Sequence, residues 1–354
     1  MKKKLLALAL ASSLVLSMCA CGSEAAEDSA DAESVTEETA EESAEEETEE
    51  TEVSDAPVVE GTYTIGICQL VQHVALDAAT EGFEDAVIAQ LGEDHVVFDE
   101  QNAQGDSATC ATIVNSFVSS EYDLILANAT APLQAAAAGT TDIPILGTSV
   151  TDYATALDIS DWSGLTGRNI SGTSDLAPLA DQAAMLNELF PDSVNVGILY
   201  CSAEANSQYQ ADVMKEELEK LGKTVEFYTF VDTNDVATVT QKAADGSDVI
   251  YIPTDNTAAS NTEIIDSICQ PAGVPIVAGE EGICNGCGVA TLSISYYDLG
   301  YATGLMAVKI LYGGENVEDM EIEYAPNVTK EYNAERCEAL GITVPEDYVA
   351  ISAE

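Results

Sequence analysis

Basic side chains are scarce in this chain of 354 residues, which has 11 Lys and Arg against 63 Asp and Glu and a formal net charge of −52. Phosphate recognition depends on clustered Lys and Arg, so a surface of this charge repels nucleic acid. We therefore expect no nucleic-acid partner. The 46% apolar content still provides for a sizeable core, and the length is sufficient for two domains.

Histidine and catalytic motifs are scarce as well. The two histidines, His73 and His95, lie outside any nucleophile motif such as G-x-S-x-G, and the phosphate-binding motifs G-x-G-x-x-G and G-x-x-x-x-G-K-[ST] are missing. Glu280 and Glu281 are adjacent, so in regular structure they point in different directions and make a poor acid–base pair. The sequence therefore predicts neither an enzyme nor a cofactor.

No apolar run reaches the ~20 residues of a membrane-spanning helix. The nearest is residues 5–16, which follow three lysines at 2–4. The motif Ala20-Cys21-Gly22-Ser23 resembles a bacterial lipobox. We therefore predict a lipoprotein signal peptide over residues 1–20 and lipidation of Cys21, which anchors the protein to the cell membrane. Cleavage before Cys19 is one alternative, and plain secretion with a free cysteine is another.

Residues 22–60 contain 17 acidic side chains and no Lys or Arg. Such a segment repels itself and has almost no apolar surface to bury. We therefore predict that residues 21–60, the lipidated cysteine included, form an acidic disordered tether.

Seven of the nine cysteines lie beyond the tether, so at least one is free or pairs between molecules. Cys284 and Cys287 have C-x-x-C spacing in what reads as a glycine-rich loop. A structural zinc site would need a second such pair, which the sequence lacks. We expect no metal site.

Short apolar runs alternate with helical patterns in two series, over residues 63–147 and 194–278. In the predicted helix 207–221, apolar residues fall at spacings of three and four, with Asn206 or Ser207 as the cap. A strand at 290–295 and an apolar helix at 297–311 follow, and Gly300 and Gly304 would let that helix pack closely. Such alternation predicts an α/β fold with parallel sheets.

Short polar residues follow nearly every predicted strand, although each alone reads equally well as a helix cap. Open α/β sheets bind ligands beyond the carboxyl ends of their strands. The recurrence predicts a cleft at these positions, nearly all of them polar: Gln69, His73, Asn128, Ala129, Thr130, Thr148, Ser149, Thr151, Ser202, Glu204, Asn206, Ser207, Thr254, Asp255, Asn256, Glu280 and Glu281.

Several segments together resemble bacterial ABC-transporter substrate-binding lipoproteins of the tryptophan/aromatic amino-acid receptor type. The resemblance covers about residues 62–330. It is carried by Ile65-Gly66-Ile67-Cys68-Gln69 with His73, by Asn169-Ile170-Ser171-Gly172-Thr173-Ser174-Asp175, by Tyr251-Ile252-Pro253-Thr254-Asp255-Asn256-Thr257 and by Tyr296-Tyr297-Asp298-Leu299-Gly300-Tyr301. The chain departs from the family pattern at Val74 and Tyr153, where proline is usual.

This resemblance implies a type I periplasmic-binding-protein fold, in which two Rossmann-like lobes with parallel sheets are joined by three crossing hinge segments. We place lobe 1 at residues 61–170 plus 290–322, and lobe 2 at 171–289 plus 323–354. It also implies a monomer that closes on an amino acid, most often an aromatic one, and delivers it to ABC permease subunits. The ligand-binding positions carried over are Gln69, Thr130, Ser149, Glu204, Asn206, Ser207, Asp255 and Asn256.

A zwitterionic amino acid needs an anionic patch for its ammonium group and a patch of hydrogen-bond donors for its carboxylate. Asp255 or Glu204 could hold the ammonium. Thr130, Ser149 and Ser207 could hold the carboxylate, because Arg168 and Arg336 lie at no predicted strand end. Tyr153, Tyr200 and Tyr209 could form walls for an aromatic ring, or could simply pack in the core.

The alternative is a sugar, nucleoside or signalling-molecule binding protein on the same fold. Such sites usually stack the ligand on aromatic rings, and Trp162, the one tryptophan, lies between the two series. A surface adhesin is a third class, which would not require polar residues at every strand end.

Overall fold

A computed structural model describes residues 61–325 and 327–351. The helices and strands, in chain order, are β1 (Tyr63–Gln69), α1 (Val74–Leu91), β2 (Val96–Asn102), α2 (Ser107–Ser119), β3 (Leu124–Asn128), α3 (Thr130–Gly139), β4 (Ile145–Val150), α4 (Tyr153–Ala156), β5 (Ile170–Ser174), α5 (Leu179–Leu189), β6 (Asn195–Cys201), α6 (Ala205–Lys220), β7 (Thr224–Phe230), α7 (Thr233–Gly246), β8 (Val249–Ile252), α8 (Asn256–Ala259), α9 (Thr262–Ala272), β9 (Ile276–Ala278), α10 (Glu281–Cys287), β10 (Ala290–Ser293), α11 (Tyr296–Leu311), β11 (Glu323–Tyr324), β12 (Thr329–Tyr332), α12 (Ala334–Leu340) and β13 (Val349–Ala350).

The first sheet has the order β11-β5-β4-β3-β1-β2, with every pair parallel, and forms lobe 1. All of β3 is buried, as expected for a parallel strand covered on both faces. Asn128 is the register partner of both Gln69 and Thr148, so the polar carboxyl ends of three strands lie side by side. This edge of the sheet faces the other lobe.

The second sheet has the order β13-β12-β10-β9-β8-β6-β7 and forms lobe 2. Its pairs are parallel except for β10 with β12. Apolar side chains fill the space between sheet and helices in separate clusters, one built around Tyr251 and Met214 and another around Phe230 and Ile265.

The chain crosses between the lobes three times: from β5 to α5, from β10 to α11 and from β11 to β12. The crossings differ from the predicted boundaries by a few residues, because the last strand before each crossing stays with its own sheet. Thus β5 pairs with β4 in lobe 1, β10 pairs with β9 in lobe 2 and β11 pairs with β5 in lobe 1. The sequence Ile170–Ser174, with its small polar residues, reads as a linker rather than as a strand.

Helices α1 and α11 cross at very short range, as the glycines of α11 predict. A Cβ atom at Gly300 would lie 1.9 Å from the carbonyl oxygen of Ala79, and one at Gly82 would lie 2.1 Å from that of Tyr297. The two helices can approach this closely only because each has a glycine, which lacks a side chain, at the point of contact. It fixes α11, which arrives from lobe 2, onto lobe 1.

Two local predictions need correction. Cys284 and Cys287 lie on helix α10, not in a loop, because the Glu280 carboxylate accepts hydrogen bonds from the N–H groups of Gly282 and Ile283 and starts a helix. Helix α6 begins at Ala205, two residues before the predicted start, with Glu204 at the N-cap position.

Candidate functional site

Several cavities lie between the lobes, and two of them share residues at the carboxyl ends of the strands. We call the smaller of these two, with a volume of about 10 Å³, the inner cavity. Its lining residues come from both lobes and from the crossings: His73, Ala75, Leu76, Ser149, Asp175, Asn206, Thr254, Asp255, Asn256, Ala259, Glu280 and Tyr296. That volume is room for about one water molecule, so a ligand can enter only when the lobes move apart.

The larger cavity, of about 350 Å³, is the outer cavity. It shares Asn206 and Asn256 with the inner cavity. Leu70, Val71 and Thr130 line it from lobe 1, and Glu204 and Val231 are among the residues that line it from lobe 2. Its volume falls at the lower end of the range for small-molecule sites.

Three carboxyl groups converge on the inner cavity. Asp175 follows β5 in the first crossing, Asp255 is the N-cap of α8 and Glu280 is the N-cap of α10, and they are only 4%, 1% and 2% exposed. Among the described residues, neither cavity is lined by Lys or Arg. Burial raises the pKa of Asp175, raises that of Asp255 to about 8 and raises that of Glu280 to about 7.

Two polar atoms at the inner cavity lack a hydrogen-bond partner within the described chain: Oδ1 of Asp175 and Oγ of Ser149. The other oxygen of Asp175 accepts a hydrogen bond from the Tyr296 hydroxyl at 2.9 Å. Ser149 also has a φ of 55°, an unusual left-handed conformation for a serine. Buried polar atoms are nearly always paired, so these two atoms are available to a ligand.

Both oxygens of the Asp255 side chain, by contrast, already accept hydrogen bonds from the backbone. Its Oδ1 accepts a hydrogen bond from the Ala258 N–H at 2.7 Å, and its Oδ2 accepts one from the Cys201 N–H at 2.6 Å. The carboxyl group thus caps α8 and fixes it to the end of β6. The Glu204 charge adds to the effect of burial on the pKa of Asp255.

The two oxygens of the Glu204 carboxylate also accept hydrogen bonds from within the protein. It accepts hydrogen bonds from the backbone and side chain of Asn256, at 3.1 and 2.7 Å, and from those of Thr257, at 2.9 and 2.7 Å. It therefore fixes the start of α8 against the start of α6. Asn206 completes this junction by donating to the carbonyl of Thr254 at 2.9 Å.

A hydrogen bond from His73 to Asn256 crosses the cleft, with Nε2 and Oδ1 separated by 3.2 Å. Because the Asn256 amide nitrogen donates to Glu204, its oxygen faces His73, and Nε2 must be the donor. Burial lowers the pKa of His73, against smaller opposing effects of Asn256, Glu204 and Asp77. The ring is therefore held neutral with its proton on Nε2.

The eight predicted binding residues divide into three groups. Ser149, Asn206, Asp255 and Asn256 line the inner cavity, and Thr130 and Glu204 line the outer one. Gln69 and Ser207 line neither. Gln69 is buried in lobe 1, where it donates to Asp77 and accepts from Thr80, and Ser207 is fully buried beneath Asn206.

None of the three tyrosines considered as walls lines the inner or the outer cavity. Tyr153 is buried and donates to the carbonyl of Thr173, while Tyr200 packs on Phe227 and donates to Gln208. Asp175 and Tyr296, which do line the inner cavity, were missed as site residues. Both stood in the motifs that carry the family resemblance, but neither follows a strand of the two predicted series.

All seven cysteines of the described chain are buried and unpaired. Across the same residues, no cluster of three His, Cys, Asp or Glu side chains is arranged to hold a metal ion. The search for a long apolar helix over residues 61–325 and 327–351 finds none that could cross a membrane.

Residues 64–354 match the model of the ABC transporter substrate-binding protein family. The chain belongs to this family. It is 34% identical over 260 residues to a tyrosine-binding protein of Clostridioides difficile, a match that spans 73% of this chain and 75% of that protein. The expected role as the substrate-binding component of an ABC transporter is thereby confirmed, and such proteins are extracytoplasmic.

Solved structures confirm the type I periplasmic-binding-protein fold. A Streptococcus pneumoniae ABC domain in complex with L-Trp has a TM-score of 0.77 at 32% identity and covers 81% of this chain and 97% of its own. A ligand-free, open substrate-binding protein with adhesive properties from Clostridium difficile scores 0.64 at 35% identity, covering 83% and 100%. At similar identity, this chain thus lies nearer to the ligand-bound structure than to the open one.

Proposed function

We propose that this substrate-binding protein binds an amino acid with an aromatic side chain between its lobes and releases it unchanged to the permease subunits of an ABC importer. The observation that carries the proposal is the pair of unpartnered buried atoms, Asp175 Oδ1 and Ser149 Oγ, at an inter-lobe cavity rich in carboxyl groups. The relatives that bind tyrosine and carry L-Trp support the same ligand class.

The ammonium group of the ligand is assigned to the inner cavity. Three buried carboxyl groups surround this space and none of them has a Lys or Arg as a partner among the described residues. An ammonium group supplies the missing positive charge and can donate to both Asp175 and Ser149. This makes Asp175, rather than Asp255 or Glu204, the main ammonium ligand.

The carboxylate of the ligand is assigned to the start of α3. This helix of ten residues begins at Thr130 without a side-chain cap, after Ala129 at a φ of 100°. The N–H groups of its first two residues, Thr130 and Ala131, and the positive end of the helix dipole suit an anion and make an Arg clamp unnecessary. Thr130 also lines the outer cavity, whose volume of about 350 Å³ leaves room for the side chain.

Thermal melting of the purified protein with a matched set of compounds tests this proposal. L-tyrosine, L-phenylalanine and L-tryptophan are compared with tyramine, which lacks the carboxylate, and with 3-(4-hydroxyphenyl)propionate, which lacks the ammonium. A ligand at 100 times its Kd stabilises the folded state by ~2.7 kcal/mol, which is easily measured. We expect the Tm to rise with at least one of the three amino acids and to stay unchanged with tyramine and with 3-(4-hydroxyphenyl)propionate. A rise in Tm with sugars or nucleosides alone would show that the ligand belongs to one of those classes and is not an amino acid.

We further propose that Cys21 carries a lipid anchor, as its lipobox sequence suggests; it lies outside the described residues. The test is metabolic labelling of the producing cells with a radioactive fatty acid. The wild-type protein should incorporate label and sediment with membranes, and Cys21→Ala should do neither. Labelling of the Cys21→Ala protein would instead favour Cys19.

A further inference from the structure

The inner cavity is lined by more carboxyl groups than the ammonium group of one ligand can neutralise. Asp175, Asp255 and Glu280 are all nearly inaccessible, and they line a space of about 10 Å³. Buried carboxylates without a cationic partner are strongly unfavourable, and like charges this close cannot all ionise together. In the ligand-free closed form, some of these groups must therefore carry protons.

Backbone N–H groups donate to Asp255 and Glu280, and the Tyr296 hydroxyl donates to Asp175, but no cationic group of the described chain is packed around the cavity to offset this crowding of carboxyl groups. Glu204 at the start of α6 and Glu281 at the start of α10 are acidic, while Cys201 of β6 and Tyr296 of α11 are neutral. His73 at the start of α1 could carry a positive charge, but burial lowers its pKa. The raised pKa values of the three carboxyl groups, about 8 for Asp255 and about 7 for Glu280, follow from the same geometry.

We propose, building on the amino-acid function above, that the ligand ammonium enters this cavity in exchange for a proton, which a cavity carboxyl group releases to solvent. In the inner cavity the ammonium brings one positive charge and the departing proton removes one, so the total charge of the inner cavity is conserved, while the ligand carboxylate lies outside it at the start of α3. No covalent bond other than the O–H bond of the carboxyl group breaks.

The exchange makes ligand affinity depend on pH, with a defined sign. A neighbouring ammonium favours the ionised carboxylate, so the carboxyl pKa is lower in the complex than in the free protein. The complex then binds fewer protons than the free protein, and affinity rises with pH. Between the two pKa values, Kd should increase about tenfold for each unit of acidification if one proton is exchanged. Acidic surroundings would thus promote release.

Calorimetry with L-tyrosine tests the exchange directly. Titrations at about pH 7 in buffers of different ionisation enthalpy give the number of protons released, and a series from about pH 5.5 to 8, over which free L-tyrosine keeps its ammonium, gives the slope of log Kd. We expect release of about one proton. At least one of the variants Asp175→Asn, Asp255→Asn and Glu280→Gln should lower this number, and Asp212→Asn, at an exposed position of α6, should leave it unchanged.

The outcomes separate this inference from the function on which it depends. Tight binding with no proton release and a pH-independent Kd would overturn the exchange and leave the amino-acid function standing. An unchanged proton count in all three variants, Asp175→Asn, Asp255→Asn and Glu280→Gln, would also overturn it. If no amino acid binds at any pH, the proposed function itself is wrong.

Discussion

Single side chains at the cleft differ in which of their atoms the fold has already used. Both oxygens of Asp255 accept hydrogen bonds from backbone N–H groups, whereas one oxygen of Asp175 accepts none in the described chain. Two buried aspartates at one cavity therefore have different roles. Asp255 stabilises the junction of β6 with α8, and Asp175 is left for the ligand.

We predict that Asp175→Asn weakens amino-acid binding by at least about tenfold, the loss expected for one charge-assisted hydrogen bond, without lowering Tm. Asp255→Ala should instead lower Tm, because it removes a helix cap worth about 1 kcal/mol and leaves the Cys201 N–H without a partner. Calorimetry and thermal melting measure the two effects. The exposed Asp212 on α6 supplies the control, Asp212→Asn, which should change neither quantity. Unchanged binding by Asp175→Asn would contradict the assignment.

Glu331 on β12, which lines neither the inner nor the outer cavity, leads to a prediction about how stability depends on pH. Its Oε2 is buried without a partner, and burial together with Glu281 raises its pKa to about 7, above its ordinary value of 4.5. A raised carboxyl pKa stabilises the folded state at low pH, and this contribution is lost as pH rises through the folded-state pKa. Ionised Glu331 is therefore unfavourable above neutrality.

Glu331→Gln cannot ionise, so it should raise Tm by about 2 °C at about pH 8 and have little effect at about pH 4.5. Melting curves at both pH values measure the difference. Glu216→Gln, at an exposed position of α6, should show no such pH dependence. An equal effect of Glu331→Gln at the two pH values would show that ionisation is not the cause.

At the scale of elements, the crossing of α1 with α11 depends on glycine more than any other helix contact described. We predict that Gly300→Ala destabilises the protein by about 2–3 kcal/mol, because the new methyl group would overlap the Ala79 carbonyl. Elsewhere in a helix, the same change stabilises by about 1 kcal/mol. The steric effect thus reverses the sign expected from helix propensity.

Chemical denaturation measures this change. Ala302→Gly, on the same helix at a partly buried position, should cost only the propensity difference of about 1 kcal/mol. If Gly300→Ala were neutral or stabilising, the close approach of the two helices would be contradicted. Loss of α11 packing would also disturb the second crossing, so ligand affinity should fall together with stability.

At the scale of the whole molecule, closure brings His73 of lobe 1 onto Asn256 of lobe 2. A hydrogen bond that exists only when the lobes meet stabilises the closed form and slows ligand release. The Thr151 hydroxyl, which accepts from Gln210 at 3.4 Å, forms a second and longer bridge between the lobes. The His73 bond should therefore contribute to affinity mainly through the dissociation rate.

We predict that His73→Ala and Asn256→Ala each increase the dissociation rate of the amino acid by about threefold to tenfold, corresponding to about 1 kcal/mol for one hydrogen bond. The double variant should be little worse than either single variant, because each already removes the bond. Stopped-flow kinetics measure the rates. Additive effects would show that the two residues act independently. His95→Ala, far from the cleft, is the control and should leave the dissociation rate unchanged.

The sequence determined the broad architecture. Apolar runs alternating with helical periodicity predict parallel sheets covered by helices, and the predicted helix 297–311 is α11, which begins one residue earlier and ends at the predicted residue. Eight binding residues were carried over from the family resemblance, all of them at or just after predicted strand ends, and six of these eight line the inner or the outer cavity. Both results follow from local patterns, which a sequence displays directly.

Only the tertiary structure decided which polar atoms remain free. Asp255 is satisfied by Cys201, 54 residues away, Glu204 by Asn256, 52 residues away, and Asp175 is half satisfied by Tyr296, 121 residues away. Hydrogen-bond saturation is a property of distant contacts, so chemically equivalent carboxyl groups looked alike in the sequence. Strand pairing likewise placed β5 with lobe 1 and β10 with lobe 2, because pairing outweighs local propensity wherever the fold supplies the partner strand.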